Sequence, residues 1–137
     1  MNARLAFVGL SGILIMLVGS GPAQAAVVPA DARGTYTRVL KSSAVNERYD
    51  LVGRWTLVVK AATFELTSDD PSVLPFPPLP IRLVRKGVLE LRDPSGSAAC
   101  RRGTYGYTVR RGAVRFTAVK ERCSSRRALM EGSWRAG

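Results

Sequence analysis

The sequence predicts an all-β chain: a single small antiparallel up-and-down barrel of about seven or eight strands, with one disulfide. Three observations lead there. Short runs of alternating apolar and polar residues recur at near-regular spacing, bounded by Gly, Pro or Ser, as strands joined by turns require. The runs come as sequential hairpins, which favours an up-and-down barrel over the sandwich that the same strand count allows. The only two cysteines, Cys100 and Cys123, bracket the longest pair of alternating runs, so a single pairing staples that hairpin.

Taken in order, the chain opens with a targeting segment. Arg4 supplies a positive start, Leu5 to Val18 is apolar but for Gly9, Ser11 and Gly12, and Ala23-Gln24-Ala25 is an A-x-A site followed by Ala26. Residues 1–25 therefore read as a secretory signal peptide, cleaved near Ala25-Ala26, and the mature chain as secreted or extracytoplasmic. No later apolar run approaches the ~20 residues that a membrane helix needs. The mature chain is expected to be a soluble monomer without a transmembrane segment. Residues 26–50 read as a lead-in, flexible to Arg33, with a short strand at Gly34–Leu40 and a helical turn capped by Ser42 or Ser43. The barrel domain is assigned to 51–137.

Within that domain, Trp55, Leu57 and Val59 share one face of a strand that returns through Phe64 and Leu66. Five prolines between Pro71 and Pro80 exclude helix and central strand. That segment also holds Val73, Leu74, Phe76 and Leu79, and reads as a loop folded over an opening of the core, with an exposed docking loop as the alternative. Ile81–Arg85 and Val88–Arg92 form a hairpin about Lys86-Gly87, with Ile81, Leu83, Leu89 and Leu91 inward. Asp93 to Ser97 is a loop. Gly103–Arg110 and Ala113–Lys120 pair across Arg111-Gly112, with Tyr105, Tyr107 and Val109 on the same face as Val114, Phe116 and Ala118. A last strand is expected around Leu129–Arg135.

These residues carry a resemblance. Gly53-x-Trp55 at a strand start resembles the Gly-x-Trp signature of lipocalins and their calycin relatives. Cys100, Gly103-Thr104-Tyr105-Gly106-Tyr107, Glu121-Arg122-Cys123-Ser124-Ser125-Arg126 and Gly132-Ser133-Trp134 resemble a small lipocalin-like family of secreted bacterial barrels, many from actinomycetes. Glu121 stands where that pattern carries aspartate. The resemblance implies a calycin-type barrel in which Trp55 packs against Arg126, and, by analogy of fold alone, a ligand cavity.

Enzyme chemistry is disfavoured. The chain has no histidine, hence none of the usual general base, triad or His-based metal site, and no cofactor is expected. Two binding readings remain. In the first, the inward aromatics Trp55, Phe64, Tyr105, Tyr107 and Phe116 line a pocket for a small apolar molecule, unless they are simply the core. The second rests on charge. Before Arg82 the mature chain is balanced, six basic residues to six acidic; from Arg82 onward basic residues outnumber acidic ones fourteen to four. Arg101, Arg102, Arg110, Arg111, Arg115, Arg122, Arg126 and Arg127 would then form a surface for an anionic polymer, lipid or glycan, with no motif for specific nucleic-acid recognition. A barrel that docks on or inhibits another protein through the Pro-rich loop is a third reading.

Overall fold

The computed structural model describes residues 26–137; the signal-peptide reading falls outside the described residues. Eight strands form one closed antiparallel up-and-down barrel, with each strand beside its sequence neighbours and β8 paired back to β1. They are β1 (Gly34–Leu40), β2 (Gly53–Val59), β3 (Thr63–Ser68), β4 (Leu79–Arg85), β5 (Val88–Arg92), β6 (Arg102–Arg110), β7 (Ala113–Glu121) and β8 (Gly132–Ala136). Two short helices, α1 (Ala44–Arg48) and α2 (Ser124–Met130), lie outside the sheet. The period-two pattern sets the inside. Trp55, Leu57, Phe64, Leu89, Leu91, Tyr105, Val114 and Phe116 are all almost wholly buried, while Tyr107, Val109 and Ala118 pack partly buried against them. The β6–β7 turn places both Arg111 (φ 47°) and Gly112 (φ 73°) in the left-handed region, as a two-residue hairpin requires.

Three expectations are corrected. First, the strand expected at Gly34–Leu40 is present with those bounds, but it is a full stave of the barrel, in register with β2 from Gly34–Val59 to Leu40–Gly53, so the sheet begins upstream of the boundary at residue 51. Second, the segment before it is not a free lead-in. The Leu83 amide donates to the Ala26 carbonyl and the Val28 amide to the Ala61 carbonyl, both at 2.9 Å, and Val28 and Ala32 are buried. These bonds fall where β3 and β4 pair over only Thr63–Pro80 and Phe64–Leu79, so residues 26–32 patch the splayed seam and close that end of the barrel. Third, the chain after Cys123 is helical before it is extended. Arg126, Leu129 and Met130 recur at helical spacing and are the buried side of α2, which leaves β8 only from Gly132.

The opposite end carries α1, α2 and the two long loops, with α2 burying Arg126, Leu129 and Met130 while α1 buries none of its residues. Ser43 caps α1, its hydroxyl accepting from the Asn46 amide at 3.1 Å. The two tryptophans repeat one device there: Trp55 donates from its indole to the Leu51 carbonyl (2.9 Å), and Trp134 to the Met130 carbonyl (3.1 Å). Each tryptophan follows its own Gly-x step, Gly53-Arg54 and Gly132-Ser133. The implied Trp55–Arg126 contact is replaced. Arg38 lies over Trp134, 5.9 Å from the ring centre, and donates to the carbonyls of Leu129 and Glu131 at the end of α2.

Candidate functional site

The residues from Cys100 to Arg126 divide into a structural node and two surface features. In the node, the Glu121 carboxylate accepts from Tyr105 Oη (2.6 Å), from Arg126 Nε (2.7 Å) and Nη2 (2.9 Å), and from the Cys123 amide (2.9 Å). Arg126 also donates to the Cys100 carbonyl at 2.6 Å, beside the Cys100–Cys123 disulfide (S–S 2.04 Å). Both charged side chains are buried, and every donor in the cluster has a partner. Burial and the adjoining carboxylate push the Tyr105 hydroxyl far above its ordinary value. Burial alone would lower Arg126, but the Glu121 carboxylate outweighs it and raises the guanidinium above its ordinary value. This network accounts for the spacing Glu-x-Cys-x-x-Arg: one carboxylate bonds the backbone two residues on and the guanidinium five residues on. Arg126 thus belongs to the interior and not to an anion-binding surface.

The inward aromatics are core. Phe64 and Phe116 meet edge to face across the barrel (5.6 Å between ring centres, 69° between planes), and Trp55, Phe64, Tyr105 and Phe116 are each at most 1% exposed. Tyr107 is partly buried against them. In a barrel of eight strands the interior is just wide enough for such side chains to fill.

The apolar space lies at the disulfide end. A cleft of about 330 Å³ has the buried leucines Leu51, Leu66, Leu79 and Leu129 as its floor and is lined also by Phe76-Pro77, Ser95–Ser97 and the disulfide. Phe76 stands 6.0 Å from Trp55, ring centre to ring centre, yet stays 44% exposed. The Pro-rich loop therefore divides its apolar residues. Val73 packs against the core and Phe76 walls the cleft, while Leu74 points outward at 83% exposed. The charged groups at the cleft are already engaged: Asp93 accepts from the amide and hydroxyl of Ser95, and Arg126 serves Glu121 and Cys100. The sequence pattern points to a pocket among the barrel-facing aromatics; apart from Leu66 of β3 and Leu79 of β4, the cleft residues come from loops and α2, where no alternation marks them.

The remaining arginines separate. Arg101, Arg102 and Arg122, with Lys120, line one groove of about 440 Å³ on the outer face of β5–β7, around Glu90, Thr104, Ala98 and Ala99. Arg110 and Arg115 flank a different depression with Thr108, Ala113 and Ser133, beside the β6–β7 turn that holds Arg111, at the far end of these strands. Arg127 pairs with Glu131 one helical turn away, at 3.5 Å. No family model, curated protein or solved structure matches the chain.

Proposed function

We propose that the protein is an exported, non-catalytic binding protein that takes a small, mostly apolar molecule in the end cleft, not in the barrel interior. The cleft carries this reading: leucines of the core form its floor, and a half-exposed aromatic side chain, Phe76, stands at its mouth. Its volume lies at the lower end of the range for small-molecule sites. The only side-chain polar groups at the rim without a strong internal partner are the hydroxyls of Ser97 and Ser125, which suit a neutral ligand with one hydrogen-bonding group. The disulfide suggests an extracytoplasmic location. The sequence resemblance to lipocalin-like barrels agrees with a ligand-binding role, and the absence of histidine with a non-catalytic one.

The test is titration with 1-anilinonaphthalene-8-sulfonate and with neutral N-phenyl-1-naphthylamine, reading probe emission and tryptophan quenching. The neutral probe is expected to bind saturably at one site, more tightly than the charged one, and Phe76→Ser to weaken it at least tenfold. Saturable binding that Phe76→Ser leaves unchanged would overturn the placement, and no binding of either probe would overturn the reading.

A further inference from the structure

The groove on the outer face of β5–β7 is separate from the cleft and unused by the reading above. Its geometry follows from strand register. Outward positions pair across the sheet as Arg82–Glu90–Thr104–Lys120, and one outward step along the strands pairs Arg92 with Arg102. Arg122 follows directly on the end of β7, next to Glu121, which pairs with Gly103. Neighbouring strands lie about 4.8 Å apart and outward residues about 6.6 Å apart along a strand, so the basic side chains form a compact two-dimensional array.

The groove holds a single carboxylate, Glu90, and it is already spent. It accepts from Arg82 Nε (3.0 Å) and Arg92 Nε (2.7 Å), and its side chain is only 12% exposed. Burial opposes its ionisation, but the hydrogen bonds and charges of Arg92 and Arg82 prevail and hold it below its ordinary value, so it stays an anion. Arg101, Arg102, Lys120 and Arg122 are exposed, and among the described residues none has a carboxylate within 4.0 Å. Four uncompensated cations thus surround one groove. Little beside it could insert into a bilayer: the groove's own apolar lining is Ala98 and Ala99, Val119 next to Lys120 is a single exposed apolar side chain on the same face, and the exposed Leu74 and Phe76 stand on another loop.

We propose that this groove binds a linear chain of tetrahedral oxyanions, a phosphate- or sulfate-bearing polymer of the extracytoplasmic space. Three of its four free cations are arginines, whose planar forks match two oxygens of such a group at once. A polymer engages several cations together and gains by holding successive groups at high effective concentration, where a single ion gains little. On a bilayer surface the face would offer Val119 alone for insertion, where peripheral binding sets a broad apolar face alongside charge.

Inorganic polyphosphate and dextran sulfate are the probes, with free phosphate and anionic phospholipid vesicles as comparisons, read by fluorescence anisotropy or sedimentation. Polymer binding is expected to weaken roughly 50- to 150-fold between 50 and 200 mM salt, as release of counterions by about four contacts requires. The relative strength of the two polymers shows whether phosphate or sulfate is the better source. Arg102→Gln with Lys120→Gln should lower polymer affinity at least tenfold. Arg110→Gln with Arg115→Gln, which removes the same charge from the far end of the strands, should change it less than twofold. Equal losses in the two double variants would overturn the site, leaving only attraction to net charge. Vesicle binding stronger than polymer binding would overturn the ligand class, as would free phosphate binding as well as the polymers. Far-UV circular dichroism and thermal melts confirm that both variants, altered only at exposed positions, remain folded.

Discussion

Replacing Gly103 by alanine is expected to break the molecule's most buried ion pair with one methyl group. Gly103 lies on β6 opposite Glu121, and a Cβ there would stand 2.1 Å from Glu121 Oε2, 2.7 Å from its Cδ and 2.9 Å from Arg126 Nη2. Relief requires the oxygen to retreat to the 3.4 Å of ordinary contact, more than an ångström away. Oε2 is the acceptor for both Tyr105 Oη at 2.6 Å and Arg126 Nε at 2.7 Å, so neither bond survives such a shift. Breaking a buried charge pair costs about 3 to 5 kcal/mol. Against a total of roughly 5 to 15 kcal/mol for a domain this size, that removes a large share of the stability. Urea denaturation with linear extrapolation measures it, and the thermal midpoint should fall by roughly 10 to 20 °C. Gly106→Ala on the same strand is the matched comparison. Its Cβ would have nothing nearer than 3.8 Å, and it should stay within about 1 kcal/mol of the parent, on either side. If the two variants differ by less than about 1 kcal/mol, the carboxylate is not wedged over Gly103 and the node does not hold the hairpin.

Three further outcomes follow from the same geometry. Val28→Ala should cost about 1 to 3 kcal/mol by urea denaturation, because Val28 is fully buried where residues 26–32 close the barrel; no cost would mean the segment is not docked. Cys100→Ser with Cys123→Ser should cost about 2 to 4 kcal/mol, and reductant should destabilise the parent by the same amount while leaving the variant unmoved. For Glu90 the folded-state pKa is depressed, so its contribution is fully present above its ordinary value of 4.5 and is lost as pH falls through the lower folded value. Melts between pH 7 and pH 2.5 should therefore show a steeper acid loss in the parent than in Glu90→Gln; parallel curves would contradict the assignment.

The hairpins were readable because each buries one face, and burial on one face writes a period of two into the sequence. Trp55-Leu57-Val59, Leu89-Leu91 and Val114-Phe116 carry it and all are buried, with Val58 and Val88 as apolar residues out of step. What escaped that reading obeys no such period. The plug at residues 26–32 buries only Val28 and Ala32, four residues apart, too few to register as a pattern. In α2 the helical spacing of Arg126, Leu129 and Met130 is present, but an arginine on the buried side hides it. The burial of Arg126 depends on Glu121, and local charge counting treats the two as separate surface residues. The same limit dissolved the expected arginine surface: of its eight members, three share the groove, three lie at the opposite end, and Arg126 and Arg127 are paired internally. The cleft is a product of tertiary closure, assembled from two loops, the segment before β2, two strand positions and a helix.

The most direct test of the proposed function is a backbone-amide NMR titration of the protein with the neutral naphthylamine probe. Saturable shifts are predicted to cluster at Leu51, Leu66, Phe76, Ser97, Ser125 and Leu129, with Phe64 and Phe116 unmoved. Shifts centred on Phe64 and Phe116 would place the ligand inside the barrel and contradict the account, as would a spectrum that the probe leaves unchanged.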